Sequence, residues 1–118
     1  IDRSRGLGDV YKRQDIAIRL AESVSAGEHD RGILLCGTGI GMAISANKVT
    51  GIRAAQAHDT YSAERARKSN DAQIVTLGAR VVGPELAKMI VDSFLRSDFI
   101  GGNSQAKVER ITAYENRD

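Results

Sequence analysis

Three short apolar runs, GILLCG at residues 32–37, GIRAAQA at 51–57 and AQIVTLG at 72–78, recur between stretches whose apolar residues repeat at helical spacing. A brief apolar run bounded by glycine, without period-two alternation, reads as a strand covered on both faces. Strands separated by helices pair in parallel through right-handed crossovers, because a tight hairpin leaves no room for the helix. The pattern therefore predicts an α/β fold, a Rossmann-like three-layer sandwich with a parallel sheet. Only 4% of residues are aromatic and there is no Trp, so the core must be built from Ile, Leu, Val and Ala.

The helices follow from the same spacing. From Asp15, the residues Ile16, Ala17, Leu20, Ala21 and Val24 form one apolar face, and Gly27 follows as a C-cap. MAISANK at 42–48 forms a second helix closing at Gly51, and residues 59–70 form a third opened by Asp59 or Thr60. Pro84 suits the first position of the next helix, whose inner face is Leu86, Ala87, Ile90, Val91, Phe94 and Leu95. GGN at 101–103 breaks the chain before a more polar helix at 104–115.

The 118 residues suit one domain. Residues 1–14 lack a periodic apolar face and read as a non-native or disordered prefix, leaving residues 15–118 as the domain. That prefix also holds the net charge of +2: Arg3, Arg5, Lys12 and Arg13 oppose Asp2 and Asp9, and beyond it thirteen bases balance thirteen acids. No basic stripe is left for a phosphate backbone, so nucleic acid is not an expected partner. The single cysteine rules out an intramolecular disulfide and a multi-thiolate metal site. No apolar run approaches the roughly 18 residues of a membrane span, and no secretory pattern opens the chain, so a cytoplasmic protein is expected.

That cysteine opens CGTGIGM at residues 36–42. Gly37, Gly39 and Gly41 strip the turn of side chains, so backbone N–H groups can converge on an anion while the following helix aims its positive end at the same point. The spacing is neither G-x-G-x-x-G, since residue 42 is Met, nor a G-x-x-x-x-G-K-[ST] phosphate loop. Asp59 lies about 20 residues on, which keeps a nucleotide-binding module open as an alternative. A thiol at a helix N-terminus ionises more readily than a free one, so Cys36 is a candidate base or nucleophile, against the alternative of an inert core thiol. Cys36, His58 and Gly78 all fall at the carboxyl ends of strands, where open α/β sheets bind ligands.

The segments DRGILLCGTGIGMAISANKVTGIRAA (residues 30–55) and HDTYSAERARKSNDAQIVTLGARVVGPELAKMIVDSFL (58–95) closely resemble the ribose-5-phosphate isomerase type B and galactose-6-phosphate isomerase family. The resemblance runs from Asp15 nearly to the C-terminus. It implies cofactor-independent aldose–ketose isomerisation of a phosphorylated sugar through an enediolate, with Cys36 as base. The amides around Gly37, Gly39, Ile40 and Gly41 would bind the enediolate oxygen, Thr38 would move a proton between the sugar oxygens, and Asn70 would hydrogen-bond the sugar. It also implies a homodimer or dimer of dimers with sites shared between subunits, Lys107 and its helix reaching the partner's loop, and no metal.

Three departures qualify the resemblance. Nothing before Asp15 corresponds to the family's first strand-helix unit, so the chain reads as truncated, with an exposed apolar edge at residues 33–35, low stability and little activity expected. Ser69 stands where many members that open a sugar ring carry His. His58 is the residue placed to take that role, its alternative being a capping or packing histidine; His29 is read as a surface residue. The family's two phosphate-binding arginines correspond to Asn103 and Lys107, of which only Lys107 can neutralise phosphate. Arg80 or Arg110 would compensate, with a plain surface role as each one's alternative. The last two departures resemble the branch acting on erythrulose and erythrose 4-phosphate, an open-chain pair that needs no ring-opening histidine. An inactive scaffold is the remaining reading.

Overall fold

The computed structural model describes residues 11–117. Among the described residues, helices and strands alternate up to a closing pair of helices, as the apolar runs predict: α1 (Lys12–Ser25), β1 (Gly32–Cys36), α2 (Ile40–Ala46), β2 (Ala54–Gln56), α3 (Thr60–Lys68), β3 (Ile74–Gly78), α4 (Pro84–Arg96) and α5 (Asn103–Glu115). The strands form a parallel sheet in the order β1-β3-β2, with Gly32 opposite Ile74 and Cys36 opposite Gly78. On one face, Ala17, Ala21 and Val24 of α1 and Met42 and Ala46 of α2 bury Leu34 and Ile74. On the other, Ala63 of α3 and Ile90 and Phe94 of α4 bury Val75 and Leu77. This is the three-layer sandwich, and each fully buried large side chain, such as Phe94, Ile74, Leu77 or Ile90, contributes roughly 1.5–3 kcal/mol.

The caps act as their chemistry requires. Gly27 follows α1 at φ +82°, where the left-handed turn lets its N–H reach Val24 and the Glu28 N–H reach Ser23. Asp59 caps α3, its carboxylate accepting the Ser62 N–H at 2.6 Å, and Pro84 opens α4.

Four expectations change. α1 starts at Lys12 rather than Asp15, because the Asp15 N–H already bonds the Tyr11 carbonyl at 3.0 Å; residues 1–10 of the sequence-defined prefix lie outside the described residues. Of the three strands only β3 is buried along its whole length. β1 buries Gly32 and Leu34 but leaves Ile33 and Leu35 exposed, so it is not covered on both faces, and the apolar edge expected at residues 33–35 is present. β2 is only three residues long and partly exposed at the other edge. In α4, Ile90 and Phe94 are buried with Ala87 and Val91 against them, whereas Leu86 and Leu95 remain exposed. Among the described residues no helix is long and apolar enough to cross a membrane.

Candidate functional site

β1 ends at Cys36, and the chain must reverse across the tip of β3 to enter α2. Two glycines allow it. Gly39 holds φ +79°, and a Cβ there would stand 2.9 Å from the Leu77 carbonyl carbon. Gly78, at the end of β3, would drive a Cβ to 2.7 Å from Thr38 Cα and 2.8 Å from the Gly37 carbonyl oxygen. The loop thus rests directly on strand backbone.

Its carbonyls are tied down one after another. Cys36 C=O accepts the Ala79 N–H at 2.7 Å and Gly37 C=O accepts the Arg80 N–H at 3.1 Å. Thr38 C=O accepts the Gln56 side-chain amide at 2.7 Å, and Gly39 C=O accepts the buried Thr76 hydroxyl at 2.6 Å. In a planar trans peptide the N–H points opposite to the C=O, so anchoring carbonyls toward the sheet turns the following N–H groups away from it. Two of those N–H groups have partners within the turn: Gly39 donates to Cys36 Sγ at 3.1 Å and Ile40 to Thr38 Oγ1 at 3.2 Å. Among the described residues none accepts from the N–H groups of Gly37, Thr38, Gly41 or Met42. The result is a run of main-chain donors without acceptors among the described residues at the start of α2, beside a sulfur, a chemistry suited to an oxyanion.

His58 belongs to the same end of the sheet. Its Nε2 accepts the Gly78 N–H at 2.9 Å. Asp59 beside it is held below the ordinary carboxylate range, first by the Ser62 N–H and then by the Ser62 hydroxyl. Exposed Arg80 runs over the loop, its Cδ 3.6 Å from where a Cβ on Gly37 would stand. Among the described residues no cluster of three or more His, Cys, Asp or Glu is placed to hold a metal ion.

The structure therefore gathers Cys36, Gly37, Thr38, Gly39, Ile40, Gly41 and His58 at one end of the sheet. Asn70 and Lys107 are not there. Asn70 precedes β3 at its amino end, its carbonyl accepting from Arg53 Nε and its amide donating to the Arg65 carbonyl. α5, which carries exposed Lys107, is approached through the Ile100–Lys68 backbone bond and ends with Glu115 accepting the Gly51 N–H. Both anchors lie at the amino ends of strands. The physical reason is the parallel order: residues before a strand and residues after one end up on opposite rims, however close they stand in a family pattern. Sequence reasoning missed Gln56 and Thr76, because a polar residue inside an apolar run carries no local sign of the loop it will meet.

A model of the family described as Ribose/Galactose Isomerase matches residues 8–111. The chain is 64% identical over 104 residues to a D-erythrulose-4-phosphate isomerase of Pectobacterium atrosepticum, covering 88% of this chain and 68% of that protein. It is 66% identical over 94 residues to a ribose-5-P isomerase B of Listeria innocua, covering 80% and 64% respectively. Among solved structures, the ribose-5-phosphate isomerase B of Clostridium thermocellum superposes with a TM-score of 0.86 at 48% identity, over 88% of this chain and 70% of that one. The chain thus spans about two thirds of the length of the relatives it matches.

Proposed function

The chain belongs to the Ribose/Galactose Isomerase family, and on that premise we propose that it moves a carbonyl between C1 and C2 of a phosphorylated sugar, with Cys36 as the base and no cofactor. The observation that carries the reading is the Gly39 N–H donating to Cys36 Sγ at 3.1 Å, in a loop where the N–H groups of Gly37, Thr38, Gly41 and Met42 have no acceptor among the described residues. A hydrogen bond to the sulfur favours its anionic form, and the open donors favour the charge that develops on the substrate oxygen.

In the aldose-to-ketose direction the thiolate takes the proton from C2. The electron pair forms the C1–C2 double bond, and the carbonyl oxygen on C1 becomes the oxyanion held by the amides of Gly37 and Gly41. Thr38 Oγ1 accepts the Ile40 N–H and keeps its own proton free, so it can pass a proton from the C2 hydroxyl to the oxygen on C1. The thiol then returns its proton to C1, which leaves the ketose and regenerates the thiolate. Arg80, over Gly37, supplies a positive charge beside this loop for the phosphate. Asn70 and Lys107, on the opposite rim, serve the site of a second copy in a homodimer.

Ribose 5-phosphate is the first substrate of this reading. A four-carbon substrate, erythrulose 4-phosphate, has one specific observation in its favour: His58 Nε2 is occupied by the Gly78 N–H, which suits a sugar that needs no ring opening. Both are tested by following deuterium uptake from D2O into the C1 and C2 positions of each sugar. Cys36→Ala should slow the exchange by about 10²- to 10⁴-fold, and parental speed in that variant would sink the mechanism. Strong ribose turnover that disappears in His58→Ala would instead remove the four-carbon reading.

A further inference from the structure

Gln56 lies at the end of β2, exposed, and its side-chain amide is spent on the Thr38 carbonyl at 2.7 Å. The other end of that same peptide is the Gly39 N–H, which donates to Cys36 Sγ at 3.1 Å. One rigid plane therefore joins Gln56 to the sulfur. We infer that Gln56 is a positioning residue, which clamps the Thr38–Gly39 peptide so that its N–H faces Cys36 and stabilises the thiolate. The inference rests on the reading of Cys36 as the base.

The physical argument has two parts. A peptide in a glycine-flanked turn can rotate about its neighbouring bonds at little steric cost, so it needs an anchor to keep its N–H on the sulfur. Gln56 provides that anchor across the gap between β2 and the loop. Donation to the carbonyl also polarises the peptide, and hydrogen bonds in such a chain strengthen one another. The neighbouring peptide is held independently by Thr76 through the Gly39 carbonyl, so loss of Gln56 frees one plane and leaves the loop in place. Because Gln56 is exposed on an edge strand, its replacement leaves the core untouched.

The test uses the thiol itself. Cys36 is the only cysteine, so alkylation by iodoacetamide reports on it without ambiguity. Gln56→Met keeps the length of the side chain and removes the donor. It should slow alkylation at pH 7 by roughly tenfold, the size expected when a hydrogen bond to an ionised group is loosened. At pH 10, where thiols are ionised regardless, the two proteins should react alike. Turnover should fall through kcat with KM little changed, since the lost interaction acts on the base and not on substrate. Gln56→Glu, whose carboxylate repels the Thr38 carbonyl, should be slower still. Should Met alter the melting temperature, Gln56→Thr, suited to a strand and too short to reach Thr38, gives the same comparison. Parental alkylation rates at pH 7 in folded Gln56→Met or Gln56→Thr would overturn the inference. The thiol measurement needs no isomerase turnover, so a failure of the functional reading and a failure of this one are told apart.

Discussion

Gly78 shows how little room the site leaves for change. Any side chain there must occupy space held by Thr38 Cα and the Gly37 carbonyl, both under 3 Å from the added carbon, and neither is the end of a flexible chain. Either the loop lifts off β3 or β3 bends. Gly78→Ala should therefore cost on the order of 1–3 kcal/mol, the range of overpacking in a filled interior, and should disable the loop, because lifting it breaks the Ala79 and Arg80 bonds to the loop carbonyls. Denaturant unfolding and isomerase assay together check this: a variant with parental stability and parental turnover would mean that the loop does not rest on the strand as described. The loop glycines are legible in the sequence as a tight strand-to-helix turn, since glycine spacing after an apolar run is a local signal. The close approach of Gly78 is not, because it is a contact between segments far apart in the chain.

At the scale of elements, α3 is the clearest case of local chemistry setting a boundary. Asp59 accepts both the N–H and the hydroxyl of Ser62, and these bonds hold its ionised form below the ordinary value of 3.8. A carboxyl whose folded value is depressed stabilises the fold fully above its unfolded value, and that contribution is lost as pH falls through the folded one. Asp59→Ala should thus melt below the parent at pH 7, and the two melting temperatures should converge as pH drops well under 3.8. An equal gap at both pH values would show that the charge and its bonds are not what caps the helix. This cap, the Gly27 turn and Pro84 were all legible from sequence, because each depends on neighbours within four residues. The burial of the strands was legible only in part: GILLCG and AQIVTLG look alike as strings, yet β3 is covered on both faces and β1 on one. What separates them is strand order, β1-β3-β2, which no local pattern encodes.

That order governs the whole molecule. It places the loop, Cys36 and His58 on one rim of the sheet and Asn70 and α5 on the other, so the residues suggested by family resemblance divide into two groups that a single copy does not join. It also leaves β1 paired on one side only among the described residues, with Ile33 and Leu35 facing a groove of about 410 Å3 shared with Leu77, Ala87, Val91 and Leu95. An edge strand that is both unpaired and apolar is a template for unwanted association. Leu35 is 55% exposed, so a charge on a long flexible side chain there reaches solvent at a small cost in buried contacts, and it would deter another strand from pairing. Leu35→Lys should accordingly reduce concentration-dependent light scattering while leaving the cooperativity of the thermal melt intact. Sedimentation velocity over a range of concentrations separates this from a change in a defined oligomer: the variant should lose the fast, heterogeneous boundary and keep any discrete dimer. Unchanged scattering would acquit the β1 edge, and a collapsed melt would show that Leu35 is held in packed contact after all.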